Sequence, residues 1–385
     1  MTELQRKRIL DRPTDRPTDR PTDRPTDRPT DRPTDREEWI DGLKGIAIIG
    51  IVLTHAGTPE AATPGLVASW FTFGRKGVQL FFIISAFLTW KSLAKYPIQT
   101  SKEKGKWLLG KWVRLAPAYL MALTLFLCYT RGAAEYTYNG EGGVNALNII
   151  SHILMLHFVN PYWMNTFFGE WYLGDLVVFY VLSILSFRRI QDLKSAAAAF
   201  AASLGVGFLA ECLIRIALVK AGIDDPILNV YFYNFSPLHE LPVWFLGVLV
   251  YYLLPVLRKN QWGKYGWAFL IVGFYGLTYC VYVSQALVPA EVLIALFFLT
   301  FTLGTALQRF PLISNPVFDF FGKHSYGIYL FHVLFLYVLE EHGFSWAARV
   351  PAAIGIALFL DIVFNYLFFM LGKSIRKVPS REPQK

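Results

Sequence analysis

From Glu37 onward the chain alternates long apolar runs with short polar loops. The runs lie near 42–57, 69–90, 112–130, 171–187, 196–219, 239–256, 266–285, 288–308, 324–340 and 349–372. A helix crossing the hydrocarbon core of a bilayer needs roughly 20 mostly apolar residues, and most of these runs approach that length. The first is short and carries Gly45, Gly50 and His55. A further stretch, 147–159, is apolar but too short for a span and is expected to be interfacial or re-entrant.

The loops between the runs alternate in charge. The segment 91–111 holds Lys91, Lys95, Lys102, Lys104, Lys106 and Lys111, whereas 131–170 sets Arg131 against Glu135, Glu141 and Glu170. Arg188, Arg189 and Lys194 follow, then Lys220 against Asp224 and Asp225, then Arg258, Lys259 and Lys264. Every second loop is basic, which predicts an even number of spans with both termini cytoplasmic. The expected fold is all-α: a polytopic integral membrane protein of about ten transmembrane helices.

Ahead of this body, residues 11–36 repeat DRPT with a period of four. Proline at every fourth position forbids a regular helix, and no apolar side chain offers a core, so a disordered tail is expected. It has no apolar segment of the kind a signal peptide needs. The predicted organisation is a tail over 1–36, a transmembrane domain over 37–373 and a basic cytoplasmic tail over 374–385.

Composition agrees with this reading. Hydrophobic residues make up 54% of the 385 and charged residues 17%, with mean hydropathy +0.37. Soluble chains are nearer about 45–50% and 25%. The formal charge of +9 is spread over loops rather than gathered on a soluble module, which argues against a nucleic-acid partner. Cys128, Cys212 and Cys280 lack metal-ligand spacing, so no metal site is expected.

Polar residues inside apolar runs are costly and point to function. Lys44 and His55 lie eleven residues apart on the first run. That is three helical turns plus about 20°, so both project from one flank, separated by about 16 Å along the axis. A cation near the cytoplasmic mouth can hold a phosphorylated donor, and a neutral imidazole deeper in can take a proton from a hydroxyl. Arg114, on the basic side of the third run, can pair with a phosphate of a lipid or of a donor. Asp175 lies about one turn beyond Trp171, at the expected depth of His55, where a carboxylate could orient or charge-balance the imidazole. Tyr326, Tyr329 and His332 are spaced three apart and share a face. Ser85 and Ala86 are small enough for close helix approach. Each of these also has a plain structural reading, as a snorkelling cation, a packing residue or a satisfied buried polar group.

Five segments, taken in order, resemble the acyltransferase-3 family: DGLKGIAIIGIVLTHAG with Lys44 and His55, GVQLFFIISAFL, RLAPAYL, WYLGDLVVFY and HSYGIYLFH. The resemblance runs from about residue 38 to 340. It implies O-acyl transfer, usually acetyl, from cytoplasmic acetyl-coenzyme A to a sugar hydroxyl of a cell-surface glycan or its lipid-linked precursor. A bacterial cytoplasmic membrane is the implied location. His55 then takes the place of the catalytic histidine, with Asp175 as its acidic support. Lys44 and Arg114 become donor-binding residues, and Ser85, Trp171, Tyr326, Tyr329 and His332 bind substrate or support the site. The family usually carries Arg at Lys44, an acidic residue at Gln79, Gly at Ala86 and Glu at Asp175. The expected partners are acyl-coenzyme A, a glycan or lipid-linked sugar acceptor, and membrane lipid. The rival expectation is a glycolipid or small-solute transporter, which many spans and buried histidines also fit. Against it, the two halves show no repeated hydropathy pattern.

Overall fold

A computed structural model describes residues 37–58, 65–95, 98–132, 144–163, 166, 169–225, 227–228, 231–283 and 290–377. The DRPT tail lies outside the described residues. Those residues are almost entirely helical and contain no strand.

A helix stands at each of the ten apolar runs. α1 is Glu38–His55; α2 (Gly65–Phe73) continues through a 3-10 turn, Gly74–Lys76, into α3, Gly77–Lys95. α4 is Ser101–Thr130 and the short α5 is Ala146–Ile153. Then come α6 Trp171–Ser186, α7 Leu193–Lys220, α8 Pro237–Lys259, α9 Gly266–Val283 and α10 Ala290–Leu307. The last three are α11 Pro316–Lys323, α12 Ser325–Glu341 and α13 Trp346–Lys377. α13 thus runs past residue 373 into the stretch read as a basic tail.

Among the described residues, five helical stretches are long and apolar enough to cross a bilayer: Val67–Lys95, Ser101–Thr130, Leu193–Lys220, Pro237–Lys259 and Trp346–Met370. Trp171–Ser186 and Leu293–Leu307 are apolar but shorter. The outward faces of α7, α9 and α13 carry exposed large apolar side chains, among them Phe208, Val219, Tyr275 and Phe359. Such a surface suits lipid and not water.

Local chemistry sets the helix ends. Thr100 and Glu103 form a reciprocal capping box at the start of α4, and Asp192 with Ser195 does the same for α7. These side chains satisfy backbone N–H groups that the first turn leaves open. The cap holds the Asp192 carboxyl below its ordinary range, chiefly through the Ser195 backbone N–H. α8 and α11 begin with Ser236 and Asn315 as caps followed directly by proline, a pre-set first turn.

α1 and α3 form the centre. Of α3, Gly77 to Ile84 is wholly buried. Close approach depends on two seams without side chains. A methyl group on Gly45 would overlap the Phe318 carbonyl, and one on Gly322 the Asp41 carbonyl, so α11 lies directly on the start of α1. Likewise Gly74 meets the backbone at Gly50, which presses the 3-10 turn against mid-α1. Small residues of this kind drive helix packing where no solvent pushes apolar surfaces together.

Candidate active site

The far end of α1 is tied down from two sides. Thr54 donates to the Phe71 carbonyl of α2. Arg349 and Trp346, at the start of α13, donate to the carbonyls of Ala56 and Gly57 at 2.7 and 2.9 Å. These bonds satisfy orphan carbonyls of the α1 terminus and fix the turn that carries His55.

His55 is half-buried, and its Nδ1 lies 2.7 Å from Nε2 of His332 on α12. The two rings are nearly parallel, with centroids 5.0 Å apart. Nδ1 of the fully buried His332 is 2.9 Å from the carbonyl oxygens of both Ile328 and Tyr329. A carbonyl only accepts, so that Nδ1 carries the proton, and Nε2 of the neutral ring is an acceptor. His55 must therefore donate from Nδ1, and its own Nε2 holds the lone pair. The chain α12 carbonyl–His332–His55 thus assigns the tautomer that a general base requires.

His55 lines a cavity of about 510 Å³ with Thr54, Arg75, Lys76, Gln79, Trp171, Glu240 and Tyr329. Lys44 lines a second, of about 300 Å³. Around that one stand the cations Lys111, Arg114 and Lys323, the tyrosines Tyr172, Tyr180 and Tyr326, and Ser85. Lys111 sits over the rings of Trp107 and Tyr180, 4.7 and 5.0 Å from their centroids, which holds an ammonium group at an aromatic wall. The carboxylate of this cavity, Asp361, is engaged by His324 at 2.6 Å and Asn365 at 3.0 Å. Among the described residues Tyr329 alone lines both cavities. The Lys44 and His55 side chains thus face two chambers that meet at one phenol ring.

The other expected residues divide between the chambers. Ser85 is hydrogen-bonded to Tyr172 at 3.1 Å, and Tyr326 donates to the Leu115 carbonyl at 2.8 Å, both on the Lys44 side. Trp171 walls the His55 side. Asp175 is fully buried, borders neither cavity, and neither of its carboxylate oxygens has a hydrogen-bond partner among the described residues. The structure places His332, not Asp175, at hydrogen-bond distance from His55. Arg75 and Lys76 are site-lining residues that the sequence reading does not single out, and Glu240, a polar residue at the start of the sixth run, joins them in the wall. The signal for the first two was present: two adjacent cations inside an apolar run.

Tyr329 is held by a hydrogen bond from its hydroxyl to the Gly169 carbonyl. The adjoining Glu170 is wholly buried and anchors that corner: its carboxylate lies 3.0 Å from His152 Nε2 and accepts from Tyr119 at 3.3 Å. His152 Nδ1 faces the Asn148 carbonyl at 2.7 Å. Burial works against a charge on His152, but the Glu170 carboxylate and these hydrogen bonds outweigh it and raise its pKa. His157, stacked on His152 at 4.7 Å, is pushed down to about 4 by burial.

A bundle of apolar helices around two polar chambers, one rich in cations and one lined by an oriented imidazole, defines a membrane-type helical protein. Residues 37–371 match the acyltransferase domain of the acyltransferase-3 family, and the chain belongs to that family. Residues 10–38 match a family described as a PT disordered repeat. Proteins of Staphylococcus aureus strains COL, MSSA476 and MRSA252, each named "Putative O-acetyltransferase", are 24% identical over 376 residues. The match covers 89% of this chain but 57% of each relative, so the chain spans little more than half their length. No solved structure matches.

Proposed function

We propose that this protein is a membrane-embedded O-acyltransferase of the bacterial cytoplasmic membrane. It moves an acyl group, acetyl in the simplest case, from cytoplasmic acyl-coenzyme A to a hydroxyl of a cell-surface polysaccharide or its lipid-linked precursor. The observation that carries this reading is the His332–His55 pair, with His55 lining one of two chambers that share Tyr329. In this reading the ten helices at the apolar runs are ten spans, both termini are cytoplasmic, and the Lys44 chamber opens to the cytoplasm.

Lys44 and Arg114, with Lys111 and Lys323, hold the phosphates of the donor. The thioester reaches past Tyr329 to His55. His55 Nε2 takes the proton of the acceptor hydroxyl as its oxygen attacks the thioester carbonyl carbon. The tetrahedral intermediate collapses, the carbon–sulfur bond breaks, and the departing thiolate recovers the proton from the imidazolium. His332 keeps His55 in register throughout, and Glu240 in the chamber wall balances the transient positive charge, with Asp175 buried behind it. Ser85 and Tyr326 shape the donor side, and Trp171 the acceptor side.

Mass spectrometry of surface glycans from cells carrying His55→Ala, at unchanged protein level, tests the reading. The acyl mass present with the intact chain is expected to vanish. Unchanged acylation refutes it.

A further inference from the structure

The 3-10 turn Gly74–Lys76 breaks the helix that runs from Gly65 to Lys95, and it places two consecutive cations well inside the candidate span Val67–Lys95. A cation at such a depth is expensive unless it faces a polar cavity and something supplies the opposite charge. Both conditions bear on Arg75 and Lys76. The turn is held against mid-α1 by the Gly50–Gly74 seam, and both side chains line the chamber of His55. Arg75 is exposed there and has no ion-pair or hydrogen-bond partner among the described residues. Among the described residues Glu240 is the one carboxylate that lines this chamber. The opposite chamber has its own set of cations in Lys44, Lys111, Arg114 and Lys323, so the donor's phosphates do not require Arg75.

We propose that Arg75 and Lys76 form an anion site in the acceptor chamber, so that the accepting molecule carries a phosphate or carboxylate near the hydroxyl that is acylated. This rests on the proposed acyl transfer for its kinetic consequence but not for the site itself. Arg75 supplies a planar fork that matches an oxyanion in two contacts, and Lys76 adds a compact charge beside it.

Two measurements test it. The first needs no turnover. In a chain with Cys128, Cys212 and Cys280 replaced, Tyr337→Cys places one thiol on the chamber wall. An anionic methanethiosulfonate is expected to modify it about tenfold faster than a cationic one, relative to a free thiol, and Arg75→Gln with Lys76→Gln to bring the ratio to about one. Faster reaction of the cationic reagent in the unaltered chamber overturns the anion site. The second uses protein in nanodiscs with acetyl-coenzyme A and three acceptors: methyl glucoside, methyl glucuronoside and a farnesyl-phosphoryl glucose. At least one anionic acceptor is expected to exceed the neutral one about tenfold in kcat/KM, through KM, with Arg75→Gln reducing that ratio to about one. Preference for the glucuronoside assigns a carboxylate, and preference for the farnesyl compound assigns a phosphate. Equal use of all three, or an equal kcat loss for neutral and charged acceptors in Arg75→Gln, overturns the proposal. Absence of transfer to any acceptor with the reagent preference intact counts against acyl transfer and leaves the anion site standing.

Discussion

The two chambers share one side chain, Tyr329, and little else. The Lys44 chamber is the smaller, at about 300 against 510 Å³, and among the described residues four cations surround it with one carboxylate that His324 and Asn365 already engage. Among the described residues, the His55 chamber is lined by two cations, one carboxylate and the imidazole. In the proposed reading one holds negative charge and the other moves a proton beside it. On that reading binding and chemistry are separated along a single helix flank, because Lys44 and His55 are three turns apart on α1. Mutations should separate in the same way.

The largest loss is expected from the His55 side. His55→Ala should lower the transfer rate by about 10²–10⁴-fold, the usual contribution of a general base, with coenzyme A binding preserved. Single-turnover transfer of labelled acetyl checks this, and a parallel loss of donor binding would erase the distinction between the chambers. His332→Ala should cost about 10²-fold by releasing the His55 ring from its orientation, and it should show in kcat with little change in KM. On the other side, Lys44→Ala or Arg114→Ala should each weaken coenzyme A binding about tenfold, with Lys44→Arg retaining it, as read by equilibrium binding.

The smallest effect is structural. His157 has its pKa pushed from 6.5 down to about 4 by burial. The folded state therefore binds fewer protons there than the unfolded state, and stability present above pH 6.5 is lost as pH falls toward about 4. His152 has the opposite sign: its raised pKa gives stability below 6.5 that is lost as pH rises through the raised value. The thermal midpoint of His157→Asn should fall less steeply between pH 6.5 and 4 than that of the unaltered chain.

Much of this was legible in sequence because helical period is a local property. The shared flank of Lys44 and His55, and that of Tyr326, Tyr329 and His332, follow from spacing alone. What period cannot supply is which flanks meet. His332 lies 277 residues from His55, and nothing in either segment's pattern says that these rings pair while Asp175 stays behind the chamber wall. Arg75 and Lys76 stand out as two adjacent cations, but the surrounding run is apolar enough to read as one span and gives no hint of what they face. Their position depends on a 3-10 turn made possible by Gly74 against Gly50. α11, only eight residues long, falls between two apolar runs, where run length gives no signal, although Asn315 followed by Pro316 is a helix start by its own chemistry.

The most direct test of the central claim is a structure of the protein in nanodiscs with acetyl-coenzyme A bound. The account predicts phosphate density against Lys44, Lys111 and Arg114, with the thioester carbonyl past Tyr329 and close enough to His55 for an acceptor hydroxyl to bridge them at about 3–3.5 Å contacts. Donor phosphates in the His55 chamber, or a thioester that stops short of Tyr329, would contradict it.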